Sequence, residues 1–300
     1  MTGSEWDRLL PRLHALADRL EAWLPPVPAP VDLFQAPVWR WRSTGQGRGM
    51  LEPVAHYHAA ALEDLLGLER QRAALERNIR QFIAGRPANN VLLWGARGTG
   101  KSSLIKALPG AYADQGLRLI EIGKAQLDEL PDLLALLHGR PERCLLFCDD
   151  LSFSHDEPGY QHLKAVLEGS VSAPPDNVLI VATSNRRHLM PESMADNRDT
   201  RVLDGEIHPG EAVEEKISLS ERFGLWLSFH PFDQAQYLAI VRHWLVRFGV
   251  PEPDREVVSR AALQWALERG SRSGRAAWQF AKDWLGREAN DPAAGAGSIP

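Results

Sequence analysis

Residues 90–102, NVLLW followed by GARGTGKS, leave the chain few ways to fold. An apolar, β-prone run passes directly into a segment matching G-x-x-x-x-G-K-[ST], and a helix-forming stretch comes next. Gly95, Gly98 and Gly100 allow the backbone to curl so that its N–H groups, with those of Ala96, Arg97 and Thr99, converge on phosphate oxygens. The helix that starts near Lys101 adds the positive end of its dipole. Lys101 can reach the β- and γ-phosphates of ATP, the Ser102 hydroxyl can ligate Mg²⁺, and Ser103 completes the ATP-binding stretch. Ordinary residue frequencies give a chance match in a chain of this length roughly once in a hundred.

The surrounding pattern is regular. A helix over 67–85 leads into this strand, and further strands are expected at 117–122, 143–147, 177–183 and 225–229. Helical stretches at 101–108, 125–138 and 158–169 lie between them. Such alternation predicts an α/β fold: a parallel five-stranded sheet in an αβα sandwich, with ligands beyond the carboxyl ends of the strands. After residue 230 strand signals stop, and helices over 233–248, 254–269 and 273–285 carry Trp244, Trp265, Trp278 and Trp284. These read as a small helical lid. The expected organisation is therefore an N-terminal segment (1–60), a nucleotide-binding domain (61–230), a lid (231–286) and a disordered tail (287–300). Within the first segment a helix is expected over 4–24, a stiff proline-rich linker over 25–30 and a loop over 44–49. VWRWR at 38–42 reads as a strand with Trp39 and Trp41 on a packed face and Arg40 and Arg42 on a wet one.

The run LLFCDD (145–150) ends on two adjacent aspartates. Like charges so placed repel unless a cation or a retained proton relieves them, so this is either a strand delivering carboxylates to a metal or a solvated acidic turn. A phosphate-binding loop gives the first reading a partner. Asp149 is then the candidate for the metal, directly or through water, and Asp150 for polarising the attacking water.

GARGTGKS, LLFCDD, VLIVATSN, LSERFG and GSRSGR, in that order, resemble the motif series of the AAA+ ATPases over roughly residues 61–285. The likeness is greatest to a bacterial AAA+ family designated a domain of unknown function, with replication initiators more distant. It implies the P-loop NTPase fold and Mg²⁺-dependent ATP hydrolysis coupled to remodelling or loading of a protein or nucleic-acid partner; a slow-hydrolysing, nucleotide-gated switch is the alternative. By the same resemblance LLGLERQ (65–71), with Gly67 and Leu68, borders the adenine, and Asn185 matches the sensor-1 position. Arg222 matches the arginine finger, acting in trans within a homo-oligomer, and Arg275 the sensor-2 arginine. The usual acidic pair ends Asp-Glu, whereas this chain has Asp149-Asp150, one methylene shorter at the second position.

Other features narrow the classes. A net charge of −5 argues against a broad nucleic-acid-binding face. The start of the chain lacks a signal-peptide pattern, and no run is apolar for long enough to span a membrane, so a cytoplasmic protein is expected. Cys144 and Cys148 would stand about 13 Å apart on a strand, too far for a disulfide, and read as buried apolar residues. His56 and His58 have metal-like spacing without further ligands nearby. Residues 196–216 form a long polar insertion, with seven acidic residues against three basic ones, suited to a protein partner or an ordering switch.

Overall fold

In the computed structural model the motif strand, expected at 90–94, is Val91–Gly95. The strands in chain order are Val38–Ser43 (β1), Gly49–Pro53 (β2), Val91–Gly95 (β3), Leu117–Glu121 (β4), Arg143–Cys148 (β5), Val178–Ser184 (β6), Arg201–Leu203 (β7), Glu206–His208 (β8) and Leu225–Phe229 (β9). The α-helices are Glu69–Ile83 (α1), Lys101–Tyr112 (α2), Leu130–Leu137 (α3), Pro158–Leu167 (α4), Gln234–Arg247 (α5), Glu256–Glu268 (α6) and Gly274–Asn290 (α7). The structure describes residues 31–44, 49–57, 59–153, 158–168, 174–185, 201–203, 206–208, 219–250 and 253–290, with Pro11, Arg12 and His14. Those three are helical, as expected of 4–24; the linker at 25–30, His58 and the tail beyond 290 lie outside the described residues. The stretch Met1–Asp32 forms one unit and Leu33–Pro300 a second.

The main sheet has seven strands, not five, in the order β2-β1-β4-β5-β6-β3-β9. The five expected strands run parallel, and β1 extends them by pairing parallel to β4. β2 then folds back antiparallel on β1, with Trp41 opposite Leu51. The reason lies in β1 itself. Val38, Trp39 and Trp41 are buried while Arg40 and Arg42 are exposed, so a half-buried strand with two indoles needs a sheet to lie on. The Trp39 indole N–H is satisfied locally by the carbonyls of Leu33 and Ala36.

β5 is central and buried along its length apart from its first residue. Leu145 and Phe147 join the core cluster with α1 and α2, including Leu75, Ile79, Leu104 and Leu108. Cys144, Leu146 and Cys148, of opposite parity, are buried on the other face. Both cysteines are free, and burial pushes both thiols up to about 12. α5, α6 and α7 form the expected helical C-terminal region; α5 is started by a capping box in which Asp233 and Gln236 bond each other's backbone. Within the 196–216 insertion, β7 and β8 make a two-stranded antiparallel ribbon. Among the described residues no helix is long and apolar enough to cross a membrane.

Candidate functional site

The site lies at the carboxyl ends of β3, β5 and β6. Gly95 closes β3 at φ 136°, and a Cβ there would stand 1.9 Å from the Phe229 carbonyl oxygen. Only glycine lets the loop cross the end of β9 so closely. Gly100, at φ 97°, caps α2 and brings no side-chain acceptor, which leaves the first-turn amides of the helix for an anion.

Lys101 is 6 % exposed. Its ammonium donates to the Gly95 carbonyl (2.8 Å), the Ala96 carbonyl (2.7 Å) and Asn185 Oδ1 (3.1 Å). Burial holds its pKa below the ordinary value, against the opposing pull of Asp150 and Asp149; Arg97 and Arg275 add to the lowering.

Asp149 gathers donors. Its Oδ1 accepts from Ser102 Oγ at 2.5 Å, Thr183 Oγ1 at 2.7 Å and the Asp150 N–H at 3.1 Å. Its Oδ2 faces Lys106 Nζ at 3.3 Å. Burial works against ionisation, but the Ser102 and Thr183 hydroxyls and the Lys106 charge outweigh it and hold the carboxyl below its ordinary range. Asp150 has φ 51° and is the one non-glycine residue with positive φ among the described residues. Aspartate tolerates that region better than most residues. The Asp150 N–H also donates to Thr183 Oγ1 at 2.9 Å, and its carboxylate accepts from the Asn185 side-chain amide. The adjacent carboxylates thus have separate partners: hydroxyls and a lysine for one, an amide for the other.

Lys106 is one turn along α2 from Ser102 and also faces Glu121 Oε1 at 3.8 Å; Glu121 Oε2 in turn pairs with Arg40 at 2.9 Å. Arg40–Glu121–Lys106–Asp149 is therefore a row of alternating charge. Arg40, Glu121 and Asp149 of that row line a second cavity of about 440 Å³, with Trp41, Arg42 and Gln126 among others.

A cavity of about 920 Å³ opens over the loop. Arg97, Gly98, Thr99, Gly100, Lys101, Ser102, Ser103, Asp149, Asp150, Asn185, Leu68 and Arg275 all line it. Four expected residues are not among its lining. Gly95 and Ala96 act through the carbonyls that hold Lys101, and Gly67 donates its N–H to Glu69 Oε1 at 3.0 Å. Arg222, just before β9, pairs with Glu168 after α4.

Ser102 and Asp149 present hard oxygens at one spot, a donor set that fits Mg²⁺, which takes one or two protein oxygens and completes its shell with phosphate oxygens and water. Among the described residues no group of three or more His, Cys, Asp or Glu side chains is placed to hold a metal, and His56 joins none. Sequence reasoning missed Thr183 and Lys106. It also left Trp244 and Trp278 in the lid without placing them at the cavity they line. The signal for Thr183 was its place two residues before Asn185 at a strand end; Lys106 had only helical spacing from Ser102.

Fold and site together define a P-loop fold, with a glycine-rich loop joining β3 to α2 at the carboxyl edge of a mostly parallel sheet. The chain belongs to the family described as Protein of unknown function (DUF815), which matches residues 34–288. It is similar to the replication factor C large subunit of Methanococcus vannielii, 27 % identical over 185 residues, covering 58 % of this chain and 36 % of that subunit. This chain thus spans little more than a third of that relative's length. Among solved structures it is similar to the Thermotoga maritima RuvB Holliday junction branch migration motor, with TM-score 0.47 and 16 % identity over 74 % of this chain and 63 % of that one. It is likewise similar to the replication initiator DnaA bound to AMPPCP and single-stranded DNA, with TM-score 0.49 and 18 % identity over 77 % of this chain and 68 % of that one.

Proposed function

We propose that the protein binds ATP with Mg²⁺, hydrolyses it to ADP and phosphate, and uses the nucleotide state of its lid to govern its hold on a macromolecular partner. The reading rests on the convergence of Lys101, Ser102, Asp149, Thr183 and Asn185 at one end of a cavity whose far wall is the lid. The Lys101 ammonium exchanges loop carbonyls for β- and γ-phosphate oxygens. Ser102 and Asp149 hold Mg²⁺, which when bound neutralises charge on those phosphates. Asp150, steadied by Asn185, orients the attacking water and receives its proton. Arg275 brings positive charge to the same cavity from the lid. Arg222, outside the cavity, serves the nucleotide of a neighbouring copy in a head-to-tail homo-oligomer.

Ile240 and Trp244 of α5 and Arg275 and Trp278 of α7 line the cavity with the loop, so nucleotide occupancy bears directly on lid position. The partner is a protein or a nucleic acid; the net charge of −5 disfavours a broad nucleic-acid face. The test is Lys101→Ala, with thermal unfolding checked alongside. Calorimetry should find ATP binding abolished in a folded variant, whereas equal affinity in both proteins refutes the reading.

One observation favours a second reading. The short Asp150 side chain is engaged by Asn185, which suits slow hydrolysis and a nucleotide-gated binding switch. Asp150→Glu separates the two: a rise in turnover identifies the aspartate as a brake.

A further inference from the structure

Helix α7 meets the cavity at two points. Arg275 and Trp278 are three residues apart, hence on one side of the helix, and both line the 920 Å³ space above the loop. Arg275 lies toward the phosphate end, close enough for its charge to act on Lys101. Trp278 stands one turn further along and is 40 % exposed, an unusual position for an indole in a lid whose Trp284 is buried. The Lys282 ammonium lies over its ring, 3.4 Å from the centroid, and covers one face. Leu65, Leu66, Ile240 and Trp244 line the same cavity and make part of its wall apolar.

Asp64, a buried carboxylate that also lines the cavity, is already committed. Its Oδ1 meets His243 Nε2 at 2.9 Å and its Oδ2 meets Arg247 Nη2 at 3.1 Å. Each oxygen thus already has a partner on α5. The apolar lining favours flat contact with a base, in which the area of the ring system counts.

We propose that Trp278 is the base-stacking residue of this site, and that its ring favours purine over pyrimidine nucleoside triphosphates. The proposal rests on the cavity being a nucleotide site and adds which nucleotides it accepts. A bicyclic purine covers more of an indole than a pyrimidine does. Lys282 occupies one face of the indole, so the base takes the other.

The experiment titrates wild type, Trp278→Ala and Trp278→Phe with ATP, GTP, CTP and inorganic tripolyphosphate by calorimetry. Trp278 is partly exposed, so truncation leaves the core intact, and Trp278→Phe retains a stacking face. Wild type should bind ATP and GTP more tightly than CTP by about three- to tenfold, a part of one base–aromatic stack, because cytosine also stacks but covers less of the ring. Trp278→Ala should lose about ten- to a hundredfold for ATP and GTP, keep its tripolyphosphate affinity, and be largely rescued by phenylalanine. Equal ATP affinity in wild type and Trp278→Ala overturns the proposal. So does a parallel loss of tripolyphosphate binding, or wild-type CTP binding as tight as ATP. Wild type that binds tripolyphosphate and ATP equally well removes the stacking role alone; wild type that binds neither removes the nucleotide reading as well.

Discussion

Thr183→Val is the sharpest probe of how Asp149 is held. The Thr183 side chain is 1 % exposed, and valine keeps its branched shape while deleting only the hydroxyl. Two hydrogen bonds go: the one donated to Asp149 Oδ1 at 2.7 Å and the one accepted from the Asp150 N–H at 2.9 Å. A bond to a charged group contributes about 1.5–3 kcal/mol and a neutral one about 1 kcal/mol. Both figures take discounts here. The Asp149 side chain is 33 % exposed, so water replaces part of the lost bond, and the Asp150 N–H keeps Asp149 Oδ1 at 3.1 Å. The expected net loss is about 2 kcal/mol at neutral pH. Urea unfolding of Thr183→Val, Asp149→Asn and the double variant should give a coupling of about 1 kcal/mol. The sign with pH follows from the folded Asp149 carboxyl lying below its ordinary value of 3.8. Its stabilisation is present at every pH above the unfolded value and fades as pH falls through the folded one. The coupling should therefore be flat from about pH 8 to 5 and shrink only below about 4. Wild-type stability in Thr183→Val at pH 7, or strictly additive single variants, would refute the network.

Asp150→Asn should bind ATP nearly as wild type does while steady-state turnover falls about 10²–10⁴-fold; a matching loss of binding would instead mean a shared metal site with Asp149. Inactive Arg222→Ala and Lys101→Ala subunits, mixed, should regain part of the ATPase activity, and wild-type turnover per subunit should fall on dilution; no recovery together with flat dilution removes the trans role of Arg222. Gly95→Ala forces a Cβ to within 1.9 Å of a carbonyl oxygen at φ 136° and should lower Tm by more than about 6 °C, whereas Gly110→Ala, exposed on α2 with nothing within 4 Å, should raise it slightly. Cys144 and Cys148, buried with thiols raised to about 12, should resist alkylation at pH 8 until the chain is unfolded; rapid native-state modification would show that the sheet opens there.

Much of the fold was legible because parallel strands buried on both faces write themselves as uninterrupted apolar runs. RCLLFC and VLIVATS became β5 and β6 within a residue or two of their expected bounds. β2 escaped notice for the converse reason. GMLEP is bounded by glycine and proline, and only Leu51 in it is fully buried, so it has neither an apolar run nor an alternation to read. The placement of β1 was equally hidden, since its Trp/Arg alternation specifies two faces but not which strand it joins. In the site, residues within a contiguous motif could be read, Gly98 to Ser103 above all. Residues that matter through a partner far along the chain could not. Thr183 meets Asp149 across two neighbouring strands, and Trp278 shares a cavity with the loop only through the placement of α7.

The row Arg40–Glu121–Lys106–Asp149 has a consequence for sequence drift. Each member faces a neighbour of opposite sign, at 2.9, 3.8 and 3.3 Å in turn. Reversing one charge therefore sets two like charges side by side, and neutralising an interior member strands the charges beyond it. Positions 40, 121 and 106 should change in concert among relatives, either all charged in this alternating order or relaxed together, while position 149 stays acidic. An exposed arginine on an edge hairpin, of a kind that ordinarily varies freely, should then share the evolutionary history of a carboxylate three side chains away.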